Sequence, residues 1–154
     1  MADAKKTIAI GSDHAGFELK EHVRRLLTDR GYTVVDLGAK TVEPEDDYPH
    51  LVASVARKVA DGTYERAVGL CGAGIGASIS ANRFPHVRAA LCTSPEMAKM
   101  SRLHNDANML ILGGRITTAE MAEKILDAWL ETDFEGGRHA RRVCQLDTLT
   151  GDEQ

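Results

Sequence analysis

The chain predicts an α/β fold: a doubly wound, mainly five-stranded parallel sheet with helices on both faces and a C-terminal helical arm. Three observations carry this. Short, nearly continuous apolar runs alternate with longer segments of helical period, the pattern of strands buried on both faces between crossover helices. Each apolar run stops at glycine or a small polar cluster, as strands that turn into helices do. No internal repeat, low-complexity stretch or interdomain linker interrupts the 154 residues, so the whole chain reads as one domain with an arm from about residue 131.

The elements follow in order. Thr7-Ile-Ala-Ile-Gly11 reads as the first strand and runs into Ser12-Asp13-His14. From Gly16 to Arg30, Phe17, Leu19, Val23, Leu26 and Leu27 recur near helical spacing, and Gly31 supplies the stop. Tyr32 to Leu37 is a second strand, followed by a polar loop from Gly38 to Asp47. A helix from about Tyr48 to Asp61 carries the stripe Val52, Val55, Ala56, Val59 and Ala60. Ala67 to Cys71 is a third strand that enters a glycine-rich turn, and Ile75 to Arg83 is a short helix. Val87 to Cys92 is a fourth strand. Ser94-Pro95-Glu96 opens a helix, with Ser as cap and Pro in the first helical position. Asn108 to Leu112 is a fifth strand closed by Gly113-Gly114. Thr117-Thr-Ala-Glu120 fits a capping box and opens a helix through about Leu130. The arm holds Gly136-Gly137 and the run Arg138-His-Ala-Arg-Arg142.

Composition excludes several classes. The chain is 43% apolar and 27% charged, which is globular rather than disordered, collagenous or coiled-coil. Lys and Arg number 19 against 23 Asp and Glu, a net charge of -4, which speaks against nucleic acid or an anionic membrane as the main partner. No apolar run approaches the roughly 18 residues of a membrane span, and the apolar stretch near Ile8 is shorter than a secretory h-region. Three cysteines, Cys71, Cys92 and Cys144, are too few and odd in number for a disulfide framework. The expectation is a cytoplasmic protein. Glycine, at 14 residues, is in excess. In doubly wound folds ligands sit at the carboxyl ends of the strands, and several glycines fall there.

The strongest local signal is Cys71-Gly72-Ala73-Gly74-Ile75-Gly76. Glycines let a ligand approach the backbone N–H groups, and a helix start would make them an anion site that also favours a Cys71 thiolate. A tight turn with a buried, inert thiol has the same sequence. The run is neither a dinucleotide fingerprint, since Ala77 replaces the third glycine, nor a Walker loop. Asp13-His14 fits an acid/base or anion-binding pair, or a capping Asp beside a solvated His. His104-Asn105-Asp106 fits a site or plain turn chemistry. Arg138, Arg141 and Arg142 with His139 suit a phosphate, or a solvated helix face. No Cys-x-x-Cys or His-x-x-x-His occurs, so no metal and no cofactor is expected. Cys92 reads as a strand-core residue, and packing is the default role of Cys144.

Taken in order, Gly11 to Gly16 (GSDHAG), Asp47 to His50 (DYPH), Cys71 to Gly76 (CGAGIG), Ala81-Asn82, Ser101 to Asn108 (SRLHNDAN) and Gly136 to His139 (GGRH) form one specific set. Over roughly Ile8 to Leu146 the chain resembles the ribose-5-phosphate isomerase B family, within a group that includes galactose-6-phosphate isomerase.

The resemblance implies an aldose–ketose isomerase, independent of metal, that interconverts ribose 5-phosphate and ribulose 5-phosphate through a cis-enediolate. Cys71 matches the family's base. Some relatives use a Glu after the glycine loop, where this chain has Ala77. His104 matches the residue that protonates the ring oxygen on opening, and Asp13 its partner at the anomeric hydroxyl. The N–H groups of Gly72, Ala73, Gly74, Ile75 and Gly76 match the enediolate-binding loop, and Asn105 a substrate hydroxyl contact. His14, Arg115, Arg138 and Arg142 match phosphate and substrate-end contacts, and Tyr48 lines the pocket in some relatives. Many relatives carry Ser or Thr where this chain has Ala73. The family's dimers or tetramers share active sites between subunits, so a homodimer or homotetramer is expected. Two other readings are a hexose 6-phosphate isomerase, for allose or galactose 6-phosphate, and a non-catalytic phosphosugar-binding module.

Overall fold

Strands buried on both faces favour apolar residues, and three strands are buried in this way. β1 (Thr7–Ser12) is buried at all positions, β3 (Arg66–Cys71) at all but the first, and β5 (Met109–Gly113) throughout. The shorter β2 (Thr33–Asp36) and β4 (Ala89–Leu91) are less buried and form the edges. The computed structural model describes residues 6–38 and 47–149. All strand pairs are parallel, in the order β2-β1-β3-β5-β4. Most of the expected polar loop, residues 39–46, lies outside the described residues.

The helices are α1 (Phe17–Asp29), α2 (Tyr48–Ala60), α3 (Ile75–Ala81), α4 (Pro95–Asn105), α5 (Ala119–Glu131) and α6 (Arg138–Thr148). Alternate strand residues point to opposite faces. Ile8, Ile10, Val68, Leu70, Leu110 and Leu112 therefore meet Leu19, Val23 and Leu27 of α1, Ala98 of α4, and Ile125, Leu126 and Trp129 of α5. Ala9, Ala67, Cys71, Met109 and Ile111 meet Val52, Val55, Ala56 and Val59 of α2 and Ala77 and Ala81 of α3. The Cys71 side chain thus belongs to the α2–α3 face.

Helix ends follow local chemistry. Beyond α1, Gly31 has φ +86°, its N–H donates to the Thr28 carbonyl, and the Tyr32 N–H donates to Leu27, both at 3.0 Å. This is a Schellman motif, and Leu27 and Tyr32 join the same apolar cluster. It uses the Tyr32 N–H, so β2 starts one residue later than the pattern predicts. The Ser94 hydroxyl accepts the Met97 N–H at 3.2 Å, as expected. The expected capping box on Thr117 is corrected: Thr118 caps α5, accepting the Met121 N–H at 3.1 Å. Thr117 is buried and its N–H donates to Gly113, closing the turn after β5, so the helix starts one residue on. Packing is also corrected for Cys144, which is exposed. On α6 the inward pair is His139 and Val143, one turn apart, and the next residue points about 100° away.

Candidate functional site

The order β2-β1-β3 reverses direction between β1 and β3, and in doubly wound sheets ligands bind there, at the carboxyl ends of the strands. Ser12 ends β1, and Asp13 caps a one-turn 3-10 helix over His14–Gly16. Its Oδ1 accepts the Gly16 N–H at 3.1 Å, so the capping role and a buried place at the end of β1 coexist. Cys71, 5% exposed, ends β3 opposite Gly113 of β5.

Three loops close on this point because glycines permit it. A Cβ on Gly113 would lie 2.7 Å from the Ala73 carbonyl oxygen, and one on Gly114 2.5 Å from that of Ala15. The Gly114 N–H donates to the Cys71 carbonyl at 2.8 Å, and the Arg115 N–H to that of Gly72 at 2.9 Å. The Arg115 side chain consequently runs beside Gly72, within 3.6 Å of where a Cβ would be. Gly74 has φ +80°, a left-handed turn that starts α3. The N–H groups of Ile75, Gly76 and Ala77 have no acceptor inside α3, whose first such bond is Ser78 to Gly74. Tyr48, the first residue of α2, lays its ring on Gly76, where a side chain would not fit. Ala77 is fully buried and gives no carboxylate.

Asp13, His14, Tyr48, Cys71, Gly72 to Gly76 and Arg115 are therefore brought together. His104, Asn105, Arg138 and Arg142 are not. α4 leaves the carboxyl end of β4 and returns along the sheet, and at about 1.5 Å per residue its 11 residues span roughly 16 Å. His104 and Asn105 lie on its last turn, just before β5 begins. Met109 pairs with Ala67 at that end of the sheet and Gly113 with Cys71 at the other. At about 3.3 Å per residue those ends are roughly 13 Å apart. α6 packs against α4, and Arg138 and Arg142 lie exposed on it beside His104.

At this second end the His104 and His139 rings stack, with centroids 4.4 Å apart and planes 17° from parallel. Glu135 Oε2 lies 3.8 Å from Nε2 of His104 and 3.5 Å from Nε2 of His139. Burial, and then the charge of His104, hold the His139 imidazole below its usual range. The ligand atoms of these three residues lie within 4.8 Å of one another. A metal ion must lie in the plane of each imidazole it binds, and nearly parallel stacked rings aim their nitrogens side by side. The sequence reading missed Glu135, whose partners lie on other segments. Two asparagines of the quoted motifs are structural. Asn82 exchanges hydrogen bonds with Ala89 at 2.8 and 2.9 Å, and Asn108 holds Arg88 and His86 at 2.8 and 2.7 Å, fixing β4.

No helix among the described residues is long and apolar enough to cross a membrane. Residues 8–146 match the model of the Ribose/Galactose Isomerase family. The chain is 44% identical over 149 residues to ribose-5-phosphate isomerase B of Escherichia coli (strain K12), covering 97% of each. Its fold matches ribose-5-phosphate isomerase B of Clostridium thermocellum with a TM-score of 0.90 at 46% identity, covering 93% of this chain and 96% of that one. The Mycoplasma genitalium enzyme, solved with bound ribulose-5-phosphate, gives 0.88 at 38% identity, covering 92% and 93%. Sheet order, glycine-held strand ends and a match over nearly the full length agree: this chain belongs to the ribose/galactose isomerase family.

Proposed function

We propose that the chain is an aldose–ketose isomerase that interconverts ribose 5-phosphate and ribulose 5-phosphate, with Cys71 as the base. The observation that carries this is the meeting of Cys71, the N–H groups of the following loop, Asp13 and Arg115 at one end of the sheet of a family member. On ring opening His104 gives a proton to the ring oxygen while Asp13 takes the anomeric hydroxyl proton, leaving an aldehyde at C1. The Cys71 thiolate then removes the C2 proton, and the electron pair moves through C1 to O1. The N–H groups of Gly72 to Gly76 stabilise the resulting cis-enediolate. A hydroxyl proton passes between the adjacent O1 and O2, and Cys71 returns its proton to C1. Ala73 leaves that hydroxyl transfer without a side-chain relay. The developing charge rests on backbone donors, and the reaction as written uses no metal ion or cofactor.

The same reading makes the active site a product of two chains. His104, Asn105, Arg138 and Arg142 stand at the opposite end of the sheet from Cys71, so a homodimer or homotetramer supplies them from a neighbour. Tyr48, Ile75, Ile79, Met97 and Ile116, large apolar side chains exposed on the described residues, give that neighbour a surface to cover. Arg138 and Arg142 from one chain then join Arg115 and His14 of the other around the phosphate, a cationic site in a chain of net charge -4. A small phosphorylated sugar is the ligand, and a cytoplasmic placement goes with it. The test is kcat/KM across ribose 5-phosphate, allose 6-phosphate and galactose 6-phosphate. Preference for the pentose by tenfold or more is expected. Preference for a hexose would reassign the substrate, and no turnover of any would leave a binding module.

A further inference from the structure

The stacked pair at the end of α4 deepens the reading of His104 as the ring-opening acid, and rests on it. An acid that protonates a ring oxygen must present its N–H in a fixed direction, because the reacting atoms tolerate little misplacement. His104 sits on the last turn of a helix, its side chain is 40% exposed, and Glu135 is its only charged contact within 4 Å among the described residues. Exposure of that kind leaves an imidazole several rotamers. Its ring plane is defined by a neighbour, His139, which lies 4.4 Å away and 17° from parallel.

His139 is suited to this task in three ways. It stands on the first turn of α6, held down by Val143 one turn later, and its side chain is only 6% exposed. Its Nε2 is buried without a hydrogen-bond partner. Such a nitrogen is poorly placed to carry a charge, so His139 serves as a ring surface and not as a second acid. The charged groups around the pair are Glu135, which favours a proton on His139, and Arg138 and Arg142, which oppose it. Glu135 is anchored in turn, since its N–H donates to the Leu103 carbonyl at 3.1 Å, next to His104. The short segment from Thr132 to Gly137 is thereby tied to the end of α4.

We propose that His139 is a positioning residue, a buried flat surface that sets the ring plane of His104 for proton transfer to the sugar ring, with the Glu135 carboxylate beside both imidazoles holding the pair together.

The experiment compares His139→Ala, His139→Phe and Glu135→Gln with ribose 5-phosphate as substrate, together with the ring C–H signals of His104 in proton–carbon spectra. His139→Ala removes the stack and is expected to lower kcat by about 10- to 100-fold while KM changes less than about twofold. His139→Phe keeps a flat ring without a nitrogen and restores kcat to within about threefold. Glu135→Gln changes an exposed side chain that leaves the fold intact, and lowers kcat about three- to tenfold. The His104 ring signals are displaced by the stacked ring in the wild type and with Phe, and return to open-chain positions with Ala. Wild-type kcat for His139→Ala, or a Phe variant as slow as Ala, overturns the proposal. Should His139→Ala fail to fold, an unchanged kcat for Glu135→Gln overturns it. If His104→Asn turns over ribose 5-phosphate at the wild-type rate, the reading of His104 as the acid fails instead. The spectra still decide whether His139 orients it.

Discussion

Replacing Cys71 with Ala deletes one sulfur and leaves the surrounding backbone held. Parallel pairing with Gly113 persists, and so does the 2.8 Å hydrogen bond from the Gly114 N–H to the Cys71 carbonyl. The side chain is 5% exposed and packs into the α2–α3 face, so folding loses one buried heavy atom. That costs about 1 kcal/mol, or about 2–4 °C in Tm at this size. The catalytic loss is of another order. A positioned base contributes about 10²–10⁴-fold, or about 3–5 kcal/mol of barrier. In the proposed mechanism both proton transfers, from C2 and to C1, pass through the same sulfur, so the loss is expected near 10⁴-fold in kcat. His14 and Arg115 remain, and KM should stay within about threefold. Cys71→Ser keeps the shape but offers a far weaker base, and should lose nearly as much. Proton NMR in deuterated water reads ketose formation and solvent exchange of the transferred hydrogen together. A folded Cys71→Ala variant that turns over within tenfold of wild type, with exchange intact, would refute the assignment of the base.

Three further outcomes follow from the geometry. Arg138→Ala and Arg142→Ala each remove a guanidinium that the proposed mechanism places at the phosphate, so KM should rise about 10-fold singly and more together while kcat holds within about threefold, as steady-state kinetics would read. Gly113→Ala drives a Cβ to 2.7 Å from the Ala73 carbonyl. It should cost about 1–3 kcal/mol in urea unfolding and displace the loop that follows Cys71, lowering kcat more than KM. Burial pushes the Cys92 thiol up to about 11 from its ordinary 9.0. The folded state then holds that proton more tightly than the unfolded chain does. Stability from the neutral thiol is complete below pH 9 and lost as the pH rises towards about 11. Urea midpoints should fall across that window, less so in Cys92→Ala; equal slopes in the two proteins would count against the assignment.

The central sheet was readable because strands buried on both faces leave unbroken apolar runs, as in Ile8 to Gly11 and Met109 to Leu112. The edges were read too long. Val87 and Arg88 look like strand, yet the Arg88 N–H is taken by the Asn108 side chain, and β4 begins only at Ala89. Thr117 and Thr118 are alike to a pattern, and only the turn bond to Gly113 decides between them. Cys71 and its glycines stood out because strand, turn and helix start are contiguous in sequence. The separation of His104, Arg138 and Arg142 from Cys71 depends on the direction in which α4 recrosses the sheet, which follows from strand order rather than from any motif. Glu135 carried no signal, since its partners lie 31 residues before it and four after.

The claim that one catalytic site draws on two chains is tested most directly by mixing two inactive variants. Cys71→Ala keeps His104 and Arg138, and His104→Asn keeps Cys71. Unfolded together and refolded as a mixture, random pairing makes half of the dimers hybrid, and each hybrid carries one site with both native residues. Activity should therefore recover to about a quarter of wild type, while each variant refolded alone stays inactive. No recovery from a mixture shown to contain hybrids would contradict the account, because Cys71 and His104 would then have to act within one chain.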